Sequence, residues 1–117
     1  MTGQFVILKH NHPHLHWDLL LEDIESARSW RLLRKPCLGE PIAAEPLPAH
    51  RLLYLDYEGP VSNDRGAVER FAHGQYELVH SDNTILTLRL CKNHFATSVC
   101  LRTLSDGRVF VVFDASE

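Results

Sequence analysis

Polar and apolar positions along this chain repeat mostly with a period of two. Leu15–Glu22 alternates cleanly: Trp17, Leu19 and Leu21 fall on one side, and His16, Asp18, Leu20 and Glu22 on the other. Gln4–Lys9 is an apolar run of strand length, separated from the alternating segment by Pro13. Arg28–Leu33 reads as a further strand, with a single helical turn as the alternative. Pro36–Pro48 carries four prolines and reads as a long excursion, after which His50–Tyr57 returns to strand. Gly59–Gly66 is a turn-rich loop. Two hairpins follow: Gln75–His80 with Thr84–Leu90 around Ser81-Asp82-Asn83, and Phe95–Thr103 with Arg108–Phe113 around Ser105-Asp106-Gly107. Asp-Gly in the second turn favours type I′ geometry. No segment holds helical periodicity over ~12 residues. The pattern predicts a mainly β fold: a small antiparallel β barrel or strongly curved sheet, with the proline-rich excursion packed against it and little helix.

Composition narrows this further. The chain has 117 residues, of which 44% are hydrophobic and 23% charged, as in globular proteins. That length favours one domain spanning residues 1–117. The net charge of −3 excludes a general electrostatic affinity for nucleic acid, so any such contact needs a local patch. No apolar run approaches the ~18 residues of a membrane span, and the N-terminal apolar stretch FVIL is too short for a signal peptide. Cys37, Cys91 and Cys100 lack paired metal spacing and read as free or buried thiols in a reducing cytoplasm.

Histidine is the anomaly. Of eight, four fall at His10, His12, His14 and His16. His16 and Asp18 share a strand face, with Cα atoms roughly 6.5–7 Å apart. His10 ends the preceding strand and closes a site if the chain folds back alongside. Two imidazoles and one carboxylate suit Mn²⁺, Zn²⁺ or Fe²⁺, and three protein ligands leave positions open for water or substrate. The alternative is a polar strand face with unrelated surface histidines. His12 and His14, beside Pro13, read as solvent-exposed or supporting residues.

Two further features stand out. On a strand, His50, Leu52, Tyr54 and Asp56 would share one face, and His50 and Tyr54 could together grip one phosphate or act as acid and orienter. Between Glu25 and Glu40 there is no acid, while Arg28, Arg31, Arg34 and Lys35 form a basic stretch. Such a stretch is either a solvated edge or a phosphate-facing lip beside the metal.

These residues, in order and spacing, resemble the 3′-phosphoesterase domain of bacterial DNA ligase D. That family shows a lysine-histidine pair, then LH(Y)DFRLE, SWAVPKGP and DHPxxYxxFEG. This chain reads Lys9-His10, then Leu15–Glu22 (LHWDLLLE), then Ser29–Pro36 (SWRLLRKP), then His50–Gly59 (HRLLYLDYEG). Gly74-Gln75-Tyr76-Glu77-Leu78 is similar to the family's GxYxL. The resemblance implies a β-barrel-like fold and a divalent-metal site, Mn²⁺ preferred, that removes 3′-phosphates or 3′-ribonucleosides from DNA ends. It places metal ligands on His10, His16 and Asp18, phosphate contacts on His50 and Tyr54, and a catalytic-region cation on Arg34. It implies nucleic-acid 3′ ends as partners, and a separate DNA ligase or polymerase as a candidate protein partner.

There are departures. The family's arginine two residues after the metal-binding aspartate is Leu20 here, its glutamine before the lysine-histidine pair is Leu8, and a further arginine falls near Ile42. The reading that follows is a metal-dependent 3′-end phosphoesterase whose site sits at the mouth of a small barrel. The alternative is an impaired remnant that binds metal and DNA ends, or a repair partner, without turnover.

Overall fold

In the computed structural model, which describes residues 1–116, nine strands follow the chain. They are β1 (Thr2–His10), β2 (His16–Glu22), β3 (Ala27–Leu32), β4 (Ile42–His50), β5 (Gly59–Pro60), β6 (Ala67–Ser81), β7 (Ile85–Cys91), β8 (Ser98–Thr103) and β9 (Val109–Asp114). The order β1-β2-β3-β4-β9-β8-β7-β6 is closed by a β1–β6 pairing, which gives an antiparallel barrel of eight strands with β5 appended to β6. Closure removes the free edges that an open sheet would leave. No helix among the described residues is long and apolar enough to cross a membrane.

Alternation determines which side chains enter the barrel. Phe5 and Ile7 of β1, Leu19 and Leu21 of β2, and Val111 and Phe113 of β9 lie in the central core. A bulge between Ile7 and Leu8 shifts the β1–β6 register, so that Ile7 faces Ala72 and Leu8 faces Arg70. The opposite parity builds a second apolar cluster on the outer wall: Val6, Leu8, Leu20, Ala27, Leu55 and Val68. Fully burying a Leu or Val is worth roughly 1.5–3 kcal/mol, so this outer cluster is a substantial part of the fold.

Four sequence expectations are corrected here. Residues 50–57 do not form a strand: after His50 the chain makes one 3₁₀ turn, Leu52–Leu55, which covers the outer cluster with Leu55 while Leu52 and Tyr54 pack beside it. Leu20 and Leu8 drive this, because as outward leucines they need a cover. The proline-rich excursion is shorter than expected, since Ile42–His50 is a strand. Pro46 and Pro48 fit because beyond Ala44 that strand has β3 on one side and no β9 partner on the other. The Asp-Gly turn is not type I′: only Gly107 has positive φ (88°), and its amide bonds to Leu104 O at 2.9 Å. It is the three-residue loop in which a type I turn precedes a left-handed glycine. The strand start at Ala67 lies upstream of the expected Gln75. All three cysteines are free.

Tyr76 locks β6 to the end of β2. Its hydroxyl donates to Glu22 O at 2.6 Å, and burial, reinforced by the charges of Asp23 and Glu22, pushes its phenol up. Tyr76→Phe is expected to lose about 1 kcal/mol at pH 7 in urea unfolding. A raised folded pKa means that the native tyrosine's advantage is full below the unfolded value of ~10 and is lost as pH rises through the folded one. The gap between the two proteins therefore closes in alkali; a gap independent of pH would contradict the assignment.

Candidate metal centre

The β1–β2 hairpin assembles the site. Antiparallel pairing sets His10 opposite His16 and Leu8 opposite Asp18. His10, His16 and Asp18 share the outward parity of Leu8 and Leu20, so they converge on the outer wall at one end of the hairpin. This corrects the expected position at the barrel mouth. One ligand atom from each lies within 4.8 Å of the others. The rings of His10 and His16 are 4.9 Å apart, centroid to centroid. His16 and Asp18 are 6% and 3% exposed, which keeps bulk water from competing for their polar atoms.

The hydrogen bonds orient both imidazoles. A backbone carbonyl can only accept, so His16 Nδ1 donates to His14 O (2.8 Å) and His10 Nε2 donates to Arg65 O (2.9 Å). In the neutral tautomers this leaves Nε2 of His16 and Nδ1 of His10 as the lone-pair nitrogens. His16 Nε2 then faces Asp18 Oδ2 at 3.2 Å, one acceptor against another. The second Asp18 oxygen, Oδ1, is buried without a hydrogen-bond partner. A cation among these atoms resolves both defects, because it accepts from imidazole and carboxylate alike. The residues present therefore fit a divalent metal, and a carbonyl behind each histidine is the usual support for a metal-bound ring.

Arg65 reaches His10 because its loop approaches closely. Asn63 and Asp64 adopt left-handed φ (61° and 57°), and Gly66 follows at 73°. A Cβ on Gly66 would collide with Asn11 Oδ1 and crowd His12 Cβ. Asn11 Oδ1 in turn accepts from Ala67 N at 2.9 Å, tying the loop to the hairpin. Sequence reasoning missed this contribution. The working group is a main-chain carbonyl, and the one local sign of it is a glycine at the end of a turn-rich loop.

The other expected residues are placed as follows. His50 ends β4 opposite Ala27, and Tyr54 lies in the 3₁₀ turn over the same outer wall as the histidines. The turn, not a shared strand face, brings their rings together edge-on at 6.1 Å. Tyr57 stacks edge-on against Tyr54 at 5.8 Å. Arg34 is exposed and occupied within its own loop: it donates to Pro41 O (2.8 Å) and pairs with Glu40 (3.2 Å). Arg31 stands opposite Asp18 across β2–β3.

A closed antiparallel barrel that brings two imidazoles and a carboxylate together on its outer wall defines a small β-barrel domain with a triad that could hold a metal ion. The DNA Ligase D 3′-phosphoesterase domain family matches residues 8–112, nearly the whole length. The chain belongs to that family. No curated protein matches it.

Calorimetric titration with Mn²⁺ is expected to show one stoichiometric site that His16→Ala abolishes. Gly66→Ala, which displaces the Arg65 carbonyl, should weaken binding roughly 10- to 100-fold. Native-like affinity in Gly66→Ala would mean that the carbonyl contributes nothing.

Proposed function

We propose that this chain is a metal-dependent phosphoesterase of DNA end repair that removes a 3′-phosphate or 3′-ribonucleotide. The observation that carries the reading is the convergence of His10, His16 and Asp18 in a member of the 3′-phosphoesterase family. Mn²⁺ is our choice of ion, with Zn²⁺ as the alternative. When bound, the ion supplies Lewis acidity toward a phosphoryl oxygen and acidifies water.

The chain's own groups do the rest. His10, His16 and Asp18 hold the ion, with the His14 and Arg65 carbonyls aiming the two rings. His50 holds the phosphate or protonates the leaving oxygen, and Tyr54 orients it. Arg34 supplies positive charge after leaving Glu40 and Pro41. Tyr57 and the 3₁₀ turn keep water away from the outer apolar cluster, which strengthens the neighbouring electrostatics. The substrate is a nucleic-acid 3′ end, the candidate protein partner is a separate DNA ligase or polymerase, and the cytoplasm is the expected compartment.

A second reading, binding without turnover, draws on Leu8 and Leu20. Both are fully buried in the outer cluster, so no polar group reaches a substrate from these two positions. Ile42, at the third departure, points into the barrel core and is equally closed off.

The two readings separate in one assay. Purified protein with Mn²⁺ is expected to trim a primer-template ending in a 3′-phosphate or a 3′-ribonucleotide, followed on a denaturing gel. His16→Ala should lose at least ~100-fold of that rate, the scale on which removing a key transition-state contact acts. Stoichiometric metal binding with no trimming under Mn²⁺, Zn²⁺, Co²⁺ or Mg²⁺ selects the second reading.

A further inference from the structure

Beside the triad, Arg31 carries a charge that no ion pair among the described residues engages. Arg31 is the β3 partner of Asp18, with outward parity, and Glu45 of β4 is its neighbour on the far side. Its Nε is buried and has no hydrogen-bond partner, and among the described residues the guanidinium makes no ion pair with Asp18 or Glu45. Leaving a guanidinium donor buried and unpaired is costly.

Three other arginines near the site are committed. Arg34 bonds Pro41 O and Glu40. Arg65 donates to Ser62 O (2.8 Å) and Ser62 Oγ (3.1 Å). Arg70, which stands opposite Leu8, pairs with Glu58, and the same carboxylate accepts the Arg70 amide. Arg31 thus combines a full positive charge, a place beside the triad and free donors. Asp18 Oδ1 next to it is also unpartnered, so each lacks a partner and neither supplies it to the other. The arrangement fits a third body: a cation on the carboxylate side and an anion on the guanidinium side.

We propose that Arg31 forms a phosphate-binding subsite beside the candidate metal centre, taking the phosphate monoester or diester at the end of the substrate. Guanidinium matches phosphate bidentately and stays charged at all working pH values. Leu20, the neighbour of Asp18 on the same face, is fully buried and offers no cation, which leaves this task to β3. The inference rests on the phosphoesterase reading for its substrate, but the subsite itself can be measured without turnover.

The test is calorimetric titration of inorganic phosphate into native protein saturated with Zn²⁺, repeated with Arg31→Ala and Arg31→Lys. Loss of the charged contact should weaken phosphate roughly 10- to 100-fold in Arg31→Ala, and Arg31→Lys should recover part of it. Affinity for Zn²⁺ itself should stay within about 3-fold in both, as expected for a group that ligates nothing. Phosphate affinity unchanged by Arg31→Ala overturns the proposal, as does a native protein that binds no phosphate. A parallel collapse of Zn²⁺ affinity in the well-folded Arg31→Lys protein also overturns it, because Arg31 would then be shaping the triad. If the native protein binds phosphate through Arg31 yet trims no 3′ end, the subsite stands and the phosphoesterase reading falls.

Discussion

The antiparallel register of β1 and β2 is the constraint on which this molecule depends. His10 opposite His16 and Leu8 opposite Asp18 follow from one choice of pairing. A slip of one residue would turn every side chain of one strand to the other wall. Either Phe5 and Ile7 of β1 or Leu19 and Leu21 of β2 would leave the barrel core, and the three candidate ligands would separate. The same apolar burial that stabilises the barrel therefore holds the triad, and the site needs no separate device to bring its halves together.

The outer wall shows how a barrel strand can be apolar on both sides without exposing grease. Leu8 and Leu20 are as buried as the inner core, yet they face outward. Their cover is the chain that leaves β4, which turns once as a 3₁₀ helix and lays Leu55 onto them. That cover brings Tyr54 to the wall that carries the histidines and sets its ring against His50. Burial and site assembly are two consequences of one packing event.

Electrostatics at the site is local. The chain is net negative, and two arginines near the site are ion-paired, Arg34 with Glu40 and Arg70 with Glu58. Four buried polar atoms lack a hydrogen-bond partner among the described residues, and two of them, Asp18 Oδ1 and Arg31 Nε, stand on facing residues of β2 and β3, while Trp17 Nε1 and Arg70 Nε lie elsewhere. Buried polar groups are normally satisfied, so the unpartnered Asp18 oxygen and Arg31 nitrogen are what the proposed metal and phosphate would engage. The two carbonyls behind the histidines add order, because each selects the ring nitrogen left free.

Much of this was legible along the chain. Alternation over Leu15–Glu22 determined the inward and outward sets of β2, and the spacing of His10, His16 and Asp18 determined that they could meet, since strand geometry has a strict period of two. The antiparallel barrel and its two late hairpins followed from the same signal. Tertiary structure decided the rest. His50–Tyr57 carries a strand-like pattern but turns as a 3₁₀ helix, because the outward leucines beneath it required a cover that no local pattern records. Ile42–His50 is a strand despite its prolines, because one side of it lacks a partner. The Arg65 carbonyl at His10 and the unpartnered Nε of Arg31 depend on which groups meet across the fold. Backbone acceptors carry no residue code, and whether an arginine is paired is a property of its neighbours in space.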